Sequence, residues 1–250
     1  MKQGPNILTV GGLDACGQTG IIADRNSLMS LRLSPIVIAS SVTLGPSEIA
    51  PIDIDTFRRQ LAAFVDLSAI STIKTGILAK RDIIEELATL FEDHKNDLPE
   101  LVVDVCLETE DESQILSSSA ISLLKMRMLP LATITIAYLS EAERLSGIRI
   151  EKIDDIKEAA EAIQIYGSKF VLIKADKIIE NELVDILYDG NEHHFLFTKN
   201  VPETDVRRMR DIFSSGVAAY LAKSYRLKMA IEAAKDLTLT PRLLGQEKPA

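Results

Sequence analysis

Short runs of β-branched and other apolar residues recur along this chain with helix-like stretches between them, and that alternation restricts the folds open to it. The runs are Ile7 to Val10, Pro35 to Ala39, Ile70 to Lys74, Leu101 to Val105, Thr133 to Ala137 and Phe170 to Lys174. Their length and composition suit strands buried on both faces. Between them, Phe57, Leu61, Phe64 and Val65, then Ile83, Leu87, Leu90 and Phe91, then Ile156, Ala159, Ala160 and Ile163 repeat at the spacing of one helix face. Strands joined through helices run parallel and need helices on both sides. The expected class is α/β, a doubly wound, mainly parallel sheet.

One interruption stands out. Leu183 to Tyr188 and His193 to Thr198 flank Asp189-Gly190, a pair suited to a tight hairpin turn, so an antiparallel edge is expected there. Helices are expected over Ile21 to Leu33, Asp205 to Lys223 and Leu227 to Leu237, with a frayed polar tail. No linker, internal repeat or low-complexity tract divides the 250 residues, so a single domain over 1–250 is expected.

Composition narrows the function. With 28 Lys and Arg against 37 Asp and Glu, the formal net charge of −9 disfavours a protein wrapped on nucleic acid or an anionic membrane. No Trp is present, which removes the best platform for stacking bases. Cys16 and Cys106 are the two cysteines; they can form neither a disulfide framework nor a Cys-based zinc cluster, and read as small buried hydrophobes. His94, His193 and His194 show no metal-ligand spacing. No apolar run is long enough to span a membrane or serve as a signal-peptide core, so a cytoplasmic protein is expected.

Ligands of open α/β sheets bind beyond the carboxyl ends of the strands, so the residues there are the candidates for chemistry. Gly11-Gly12-Leu13-Asp14-Ala15-Cys16-Gly17-Gln18-Thr19-Gly20 is a glycine-rich connection able to approach a ligand closely, or simply a turn-rich one; its spacing is neither a P-loop nor a good dinucleotide fingerprint. Lys74 precedes Thr75-Gly76 and reads as an anion holder or, favoured on local grounds, as a side chain snorkelling at the sheet edge. Asp104 and Glu141 follow neighbouring strands; they suit water-mediated Mg²⁺, or a loop acid and a first-turn helix acid. Arg207-Arg208-Met209-Arg210-Asp211 leads into a small-residue helix whose start could present N–H groups to an anion, with Asp211 as a base, or is a solvated charged turn.

Taken together, these segments resemble the hydroxymethylpyrimidine and phosphomethylpyrimidine kinases of thiamine biosynthesis, within the ribokinase-like superfamily. The resemblance rests on Gly11-Gly12 with Asp14 and Gly17 to Asp24, on Lys74-Thr75-Gly76-Ile77-Leu78, and on Leu129-Pro130-Leu131-Ala132-Thr133. Weaker support comes from Leu139 to Glu143, Val171 to Lys174, Leu187 to Gly190 and Ser214-Ser215. It implies a pocket for a pyrimidine alcohol or its monophosphate and transfer of phosphate from ATP with Mg²⁺. By position, Gly12 and Asp24 would contact the pyrimidine, with Thr43, Ile77 and Cys106 lining its pocket. Asp104 and Glu141 would hold hydrated Mg²⁺, Lys174 would lie near the nucleotide phosphates, and Asp211 would stand as the catalytic base where the family has a cysteine. A homodimer is compatible with the resemblance.

The departures bear on activity. The family's Gly-Thr-Gly-Cys loop falls at Arg208, Met209, Arg210 and Asp211, which brings Cβ atoms to where bare backbone N–H groups would meet the transferred phosphate. The family's pyrimidine-facing glutamine falls at Gly45, the asparagine of its Asn-x-x-Glu magnesium motif at Tyr138, and two glycines near the nucleotide at Ala175 and Asp176. Two readings follow. In one, the chain is a kinase of impaired or altered catalysis in which Arg208 and Arg210 clamp phosphate. In the other, it is a non-catalytic pyrimidine-binding or partner-binding pseudokinase.

Overall fold

The computed structural model of the chain describes residues 4–45, 48–109, 113–176, 179–180, 183–197 and 206–238, with side chains from 209 onward in the last stretch. Strands β1 (Asn6–Asp14), β2 (Ser34–Gly45), β3 (Glu48–Pro51), β4 (Ile70–Thr75), β5 (Glu100–Asp104), β6 (Ile134–Tyr138), β7 (Phe170–Lys174), β8 (Val184–Tyr188) and β9 (His193–Phe197) form one sheet. Its order is β3-β2-β1-β4-β5-β6-β7-β8-β9. The run from β2 to β7 is parallel, whereas β3 and the β8–β9 hairpin pair antiparallel.

Both edges are thus antiparallel, where the sequence pointed to one. The second, β3, is four residues long and only half buried, too short and too mixed to show a period. The expected edge forms as read: Gly190 takes a φ of +94°, and the Asp189 carboxylate accepts the N–H groups of Asn191 and Glu192, closing the turn.

Helices α1 (Gly20–Ser30), α2 (Ile54–Phe64), α3 (Arg81–Asp93), α4 (Ser118–Leu123), α5 (Leu139–Ser146), α6 (Ile153–Gln164), α7 (Val206–Ala222) and α8 (Leu227–Thr238) cover the two faces. Helices α2 to α6 pack one face through Phe57, Ile83, Leu87, Phe91, Ile156 and Ile163. Helices α7 and α8 pack the other through Phe213, Val217, Ala218, Ile231 and Ala234, and α1 joins them through Leu28 against Ile7 and Ala219. The small residues of α7 let it lie close to its neighbours: a methyl added at Gly216 would meet the Ala234 side chain of α8 at 3.0 Å.

The strand order reverses between β1 and β4, since the chain leaves β1 for β2 on one side and later returns to β4 on the other. Crossovers leaving in opposite directions open a crevice at the carboxyl ends of these two strands. Gly20, at the start of α1, has a φ of +61°, and a Cβ there would stand 2.1 Å from the carbonyl oxygen of Gly12. A Gly20→Ala variant should therefore lose about 2–3 kcal/mol of stability through backbone strain and overpacking. In urea unfolding, its midpoint should fall with the slope unchanged.

Candidate active site

The β1–β4 crevice opens into a cleft of about 550 Å³, its open mouth included, bordered by the glycine-rich connection, Thr43, Ile77, Cys106, Glu108, Arg210 and Asp211. The connection is held from within. The Asp14 carboxylate accepts the N–H groups of Cys16, Gln18 and Thr19 and the Thr19 hydroxyl. Slight burial works against it, but these bonds keep the Asp14 carboxyl below the usual range. Asp14 thus orders the loop that walls one side. Cys16 is exposed on that loop and Cys106 is half-buried at the cleft, so neither is the buried core residue expected of an isolated cysteine.

Lys74 lies in the interior, 1% exposed, because β4 is flanked by β1 and β5 and offers no edge at which to snorkel. Its ammonium lies 2.9 Å from both oxygens of Asp24 and 3.4 Å from Asp211. Asp24 is also fully buried and accepts the hydroxyls of Thr9 at 2.5 Å and Ser215 at 2.6 Å. Burial opposes the Lys74 charge, but the carboxylates around it outweigh burial and raise its pKa. This knot joins β1, α1, β4 and α7. It also commits both oxygens of Asp24 to internal partners, so this side chain forms the cleft floor with its hydrogen bonds already made.

Asp211 stands above that floor. It accepts the Gly20 N–H at 2.7 Å and its side chain is 13% exposed. Burial pushes its carboxyl up to about 6, with Asp24 and Asp104 adding to the rise and Lys74 and the Gly20 N–H opposing it. The group is therefore mainly ionised at neutral pH, yet more basic than an ordinary aspartate, which suits it to take a proton.

Asp104 ends β5 and Glu141 lies in the first turn of α5, both buried. Between them sits the guanidinium of Arg210. Its Nε and Nη2 donate to Asp104 Oδ1 at 3.0 and 2.8 Å, and its Nη1 and Nη2 donate to Glu141 Oε1 and Oε2, each at 2.9 Å. Nη2 also donates to the Val105 carbonyl. The open phosphate clamp suggested by sequence is thus not the arrangement found for Arg210; the carboxylates following two parallel strands draw the guanidinium to themselves. Hydrated Mg²⁺ does not fit this arrangement, because Arg210 fills the space between the two ligands that the resemblance assigns to it. Arg208 belongs to α7, and its side chain lies outside the described residues.

Lys174, at the end of β7, donates to Asp185 at 3.0 Å and lies 4.1 Å from the centre of the Phe213 ring. Asp185 also faces Lys235 at 2.8 Å and accepts the Ala175 N–H. The structure thus gathers Gly12, Asp24, Thr43, Ile77, Cys106, Arg210 and Asp211 around one cleft. Asp104 and Glu141 lie behind Arg210, and Lys174 is tied to the hairpin. Sequence reading gave Ser215 only as part of the resemblance, and missed the buried partners Thr9 and Asp185. A charged residue inside the apolar run Val184 to Tyr188 was the one visible signal for Asp185. The histidines also lie apart: His94 meets the Leu90 carbonyl, His193 stacks on Tyr188, and His194 meets Asp189.

Over most of its length the chain is similar to known proteins. The family model for phosphomethylpyrimidine kinase matches residues 14–241. The chain is 30% identical over 236 residues to a hydroxymethylpyrimidine/phosphomethylpyrimidine kinase of Streptomyces coelicolor, covering 93% of this chain and 86% of that one. It is 32% identical over 237 residues to a pyridoxine kinase of Bacillus subtilis, covering 92% and 87%. Among solved structures, the pyridoxal kinase of Staphylococcus aureus in complex with AMP-PCP and pyridoxal superposes with a TM-score of 0.83 at 26% identity, covering 95% of this chain and 87% of that one.

Proposed function

The chain belongs to the phosphomethylpyrimidine kinase family, and from that premise we propose that it phosphorylates a hydroxymethylpyrimidine or its monophosphate from ATP, slowly and with an altered catalytic centre. The observation that carries this reading is Asp211, a carboxylate bordering the cleft just above the Asp24 floor, its pKa raised to about 6. With the alcohol beside it, Asp211 would take the hydroxyl proton as the oxygen bonds to the terminal phosphorus of ATP and the bond from that phosphorus to its bridging oxygen breaks, releasing ADP. Gly12, Thr43, Ile77 and Cys106 would enclose the ring, with Asp24 bracing the floor, and Lys174 would lie towards the nucleotide. Asp104 and Glu141 would offer the transfer no metal ion, since the Arg210 guanidinium occupies the pair. Slow turnover follows from the start of α7, where side chains replace the bare N–H groups that would receive the spreading phosphoryl charge.

Two arms test the reading. ADP release dependent on hydroxymethylpyrimidine should fall by about a hundredfold or more in Asp211→Asn, the contribution expected of a positioned general base. The wild-type rate should fall as pH drops through about 6, because protonating a carboxyl whose pKa is raised to about 6 removes the base. Running the assay with pyridoxine compares the alcohols of the two groups of relatives. The position of Arg210 favours the second reading, a non-catalytic binder. That reading is adopted if no alcohol releases ADP while hydroxymethylpyrimidine alone still raises the melting temperature.

A further inference from the structure

We propose that Arg210 is a built-in cation standing where a divalent ion would otherwise sit, so that the Asp104 and Glu141 pair binds no Mg²⁺ or Mn²⁺ in this chain. The inference stands on geometry and goes beyond the kinase reading, holding whether or not phosphate is transferred.

The guanidinium is nearly buried, and its planar fork reaches both carboxylates at once. Four charge-assisted contacts of 2.8 to 3.0 Å join it to Asp104 and Glu141, a geometry that a point charge on a lysine would not reproduce. The oxygens of Glu141 have further donors, because Oε2 accepts the Tyr138 N–H at 2.9 Å and Oε1 the Leu107 N–H at 3.4 Å. Among the described carboxylate oxygens of this pair, Asp104 Oδ2 alone has no hydrogen-bond partner. One remaining oxygen falls far short of the octahedral shell of oxygens and waters that Mg²⁺ demands.

The other side of the guanidinium is covered too. Its central carbon lies 4.6 Å from the centre of the Tyr138 ring, so this aromatic face adds a cation–π contact to the ionic ones. Tyr138 and Arg210 are both departures from the family pattern, and here each is the other's neighbour. Any ion entering from solution would have to expel a permanently charged group and strip its hydrogen bonds. Because Arg210 is fixed to α7, it competes at the high effective concentration of a tethered group, which a free ion does not match.

The test uses Mn²⁺ alone as the probe, added to the full chain, with bound metal read from loss of the free-ion electron paramagnetic resonance signal. Wild type should show no site that saturates below about 1 mM. Arg210→Gly should gain one site roughly a hundredfold tighter once the tethered competitor is gone, and adding Asp104→Asn to that variant should remove it. A wild-type site below 1 mM that Asp104→Asn abolishes overturns the proposal. A folded Arg210→Gly that gains no Mn²⁺ site overturns it as well, since the pair would then be no metal seat. If Arg210→Gly does not fold, wild type and Asp104→Asn decide: no wild-type site, or one that Asp104→Asn leaves unchanged, upholds the proposal. An absence of ADP release would count against the kinase reading alone.

Discussion

Lys74→Met should cost about 3–5 kcal/mol of folding free energy, the loss typical when one partner of a buried ion pair is removed and the other is left uncompensated. Asp24 would keep the Thr9 and Ser215 hydroxyls but lose the ammonium that meets both of its oxygens. Methionine matches the length of the lysine stem, so packing is largely preserved and the deficit reports the charge. The double variant Lys74→Met with Asp24→Asn should recover most of the loss, because no unpaired ion then remains buried. Denaturant titration decides this; a double variant no more stable than the single one would show that the two residues are not coupled. The sign with pH is fixed by the direction of the Lys74 shift. A raised lysine pKa gives stability that is fully present below about 10.4 and fades only as pH climbs through the higher folded value. The Lys74 charge alone would keep the gap between wild type and Lys74→Met level, but Asp211, relieved of Lys74, rises above about 6 in the variant, so the gap should widen as pH climbs past about 6. The cleft should respond as well: Lys74 holds the Asp211 carboxyl down, so a folded Lys74→Met should carry any rate profile to higher pH.

The second large effect is expected at the hairpin. Asp185→Ala should cost about 3–5 kcal/mol, because a single buried carboxylate answers the ammonium groups of Lys174 and Lys235 and the N–H of Ala175. Burial works against ionisation of Asp185, yet the two lysines outweigh it and lower its pKa. A lowered carboxyl pKa contributes stability above the unfolded value of about 3.9 that disappears as pH falls through the folded one. The deficit of Asp185→Ala relative to wild type should thus be full at pH 7 and shrink in acid below about pH 4. Thermal melts across that range check it. A deficit unchanged by acid would mean that packing, not charge, holds this edge together.

Much of this architecture was readable because burial on both faces leaves a simple record: Ile70 to Lys74 and Phe170 to Lys174 stand out as apolar runs and became β4 and β7. Boundaries were less readable. β1 continues through Gly11 to Asp14, since glycine hid a strand that goes on pairing with β2 past a bulge. In the cleft, sequence reading named Asp24, Asp104, Glu141, Arg210 and Asp211 as chemically important, but not who would face whom. Contacts such as Arg210 with Asp104 join residues 106 positions apart. Such a pairing depends on how α7 docks onto the strand ends, and periodicity carries no information about docking. Lys74 was misread for a related reason: it lies at the end of an apolar run, where a lysine usually reaches water, and only the strand order shows that the run is central.

The close seating of α7 on α8 has a last consequence. Helix α8 supplies none of the residues bordering the cleft, yet Ala234 sets how near α7 can come, through the bare Cα of Gly216. Arg210 and Asp211 ride on that same α7 rod, and interiors this tightly packed transmit displacement instead of absorbing it. The chemistry of the ligand end is therefore leveraged from a remote contact between two small residues, and sequence drift on the far side of the molecule can retune it without touching any group that meets the ligand.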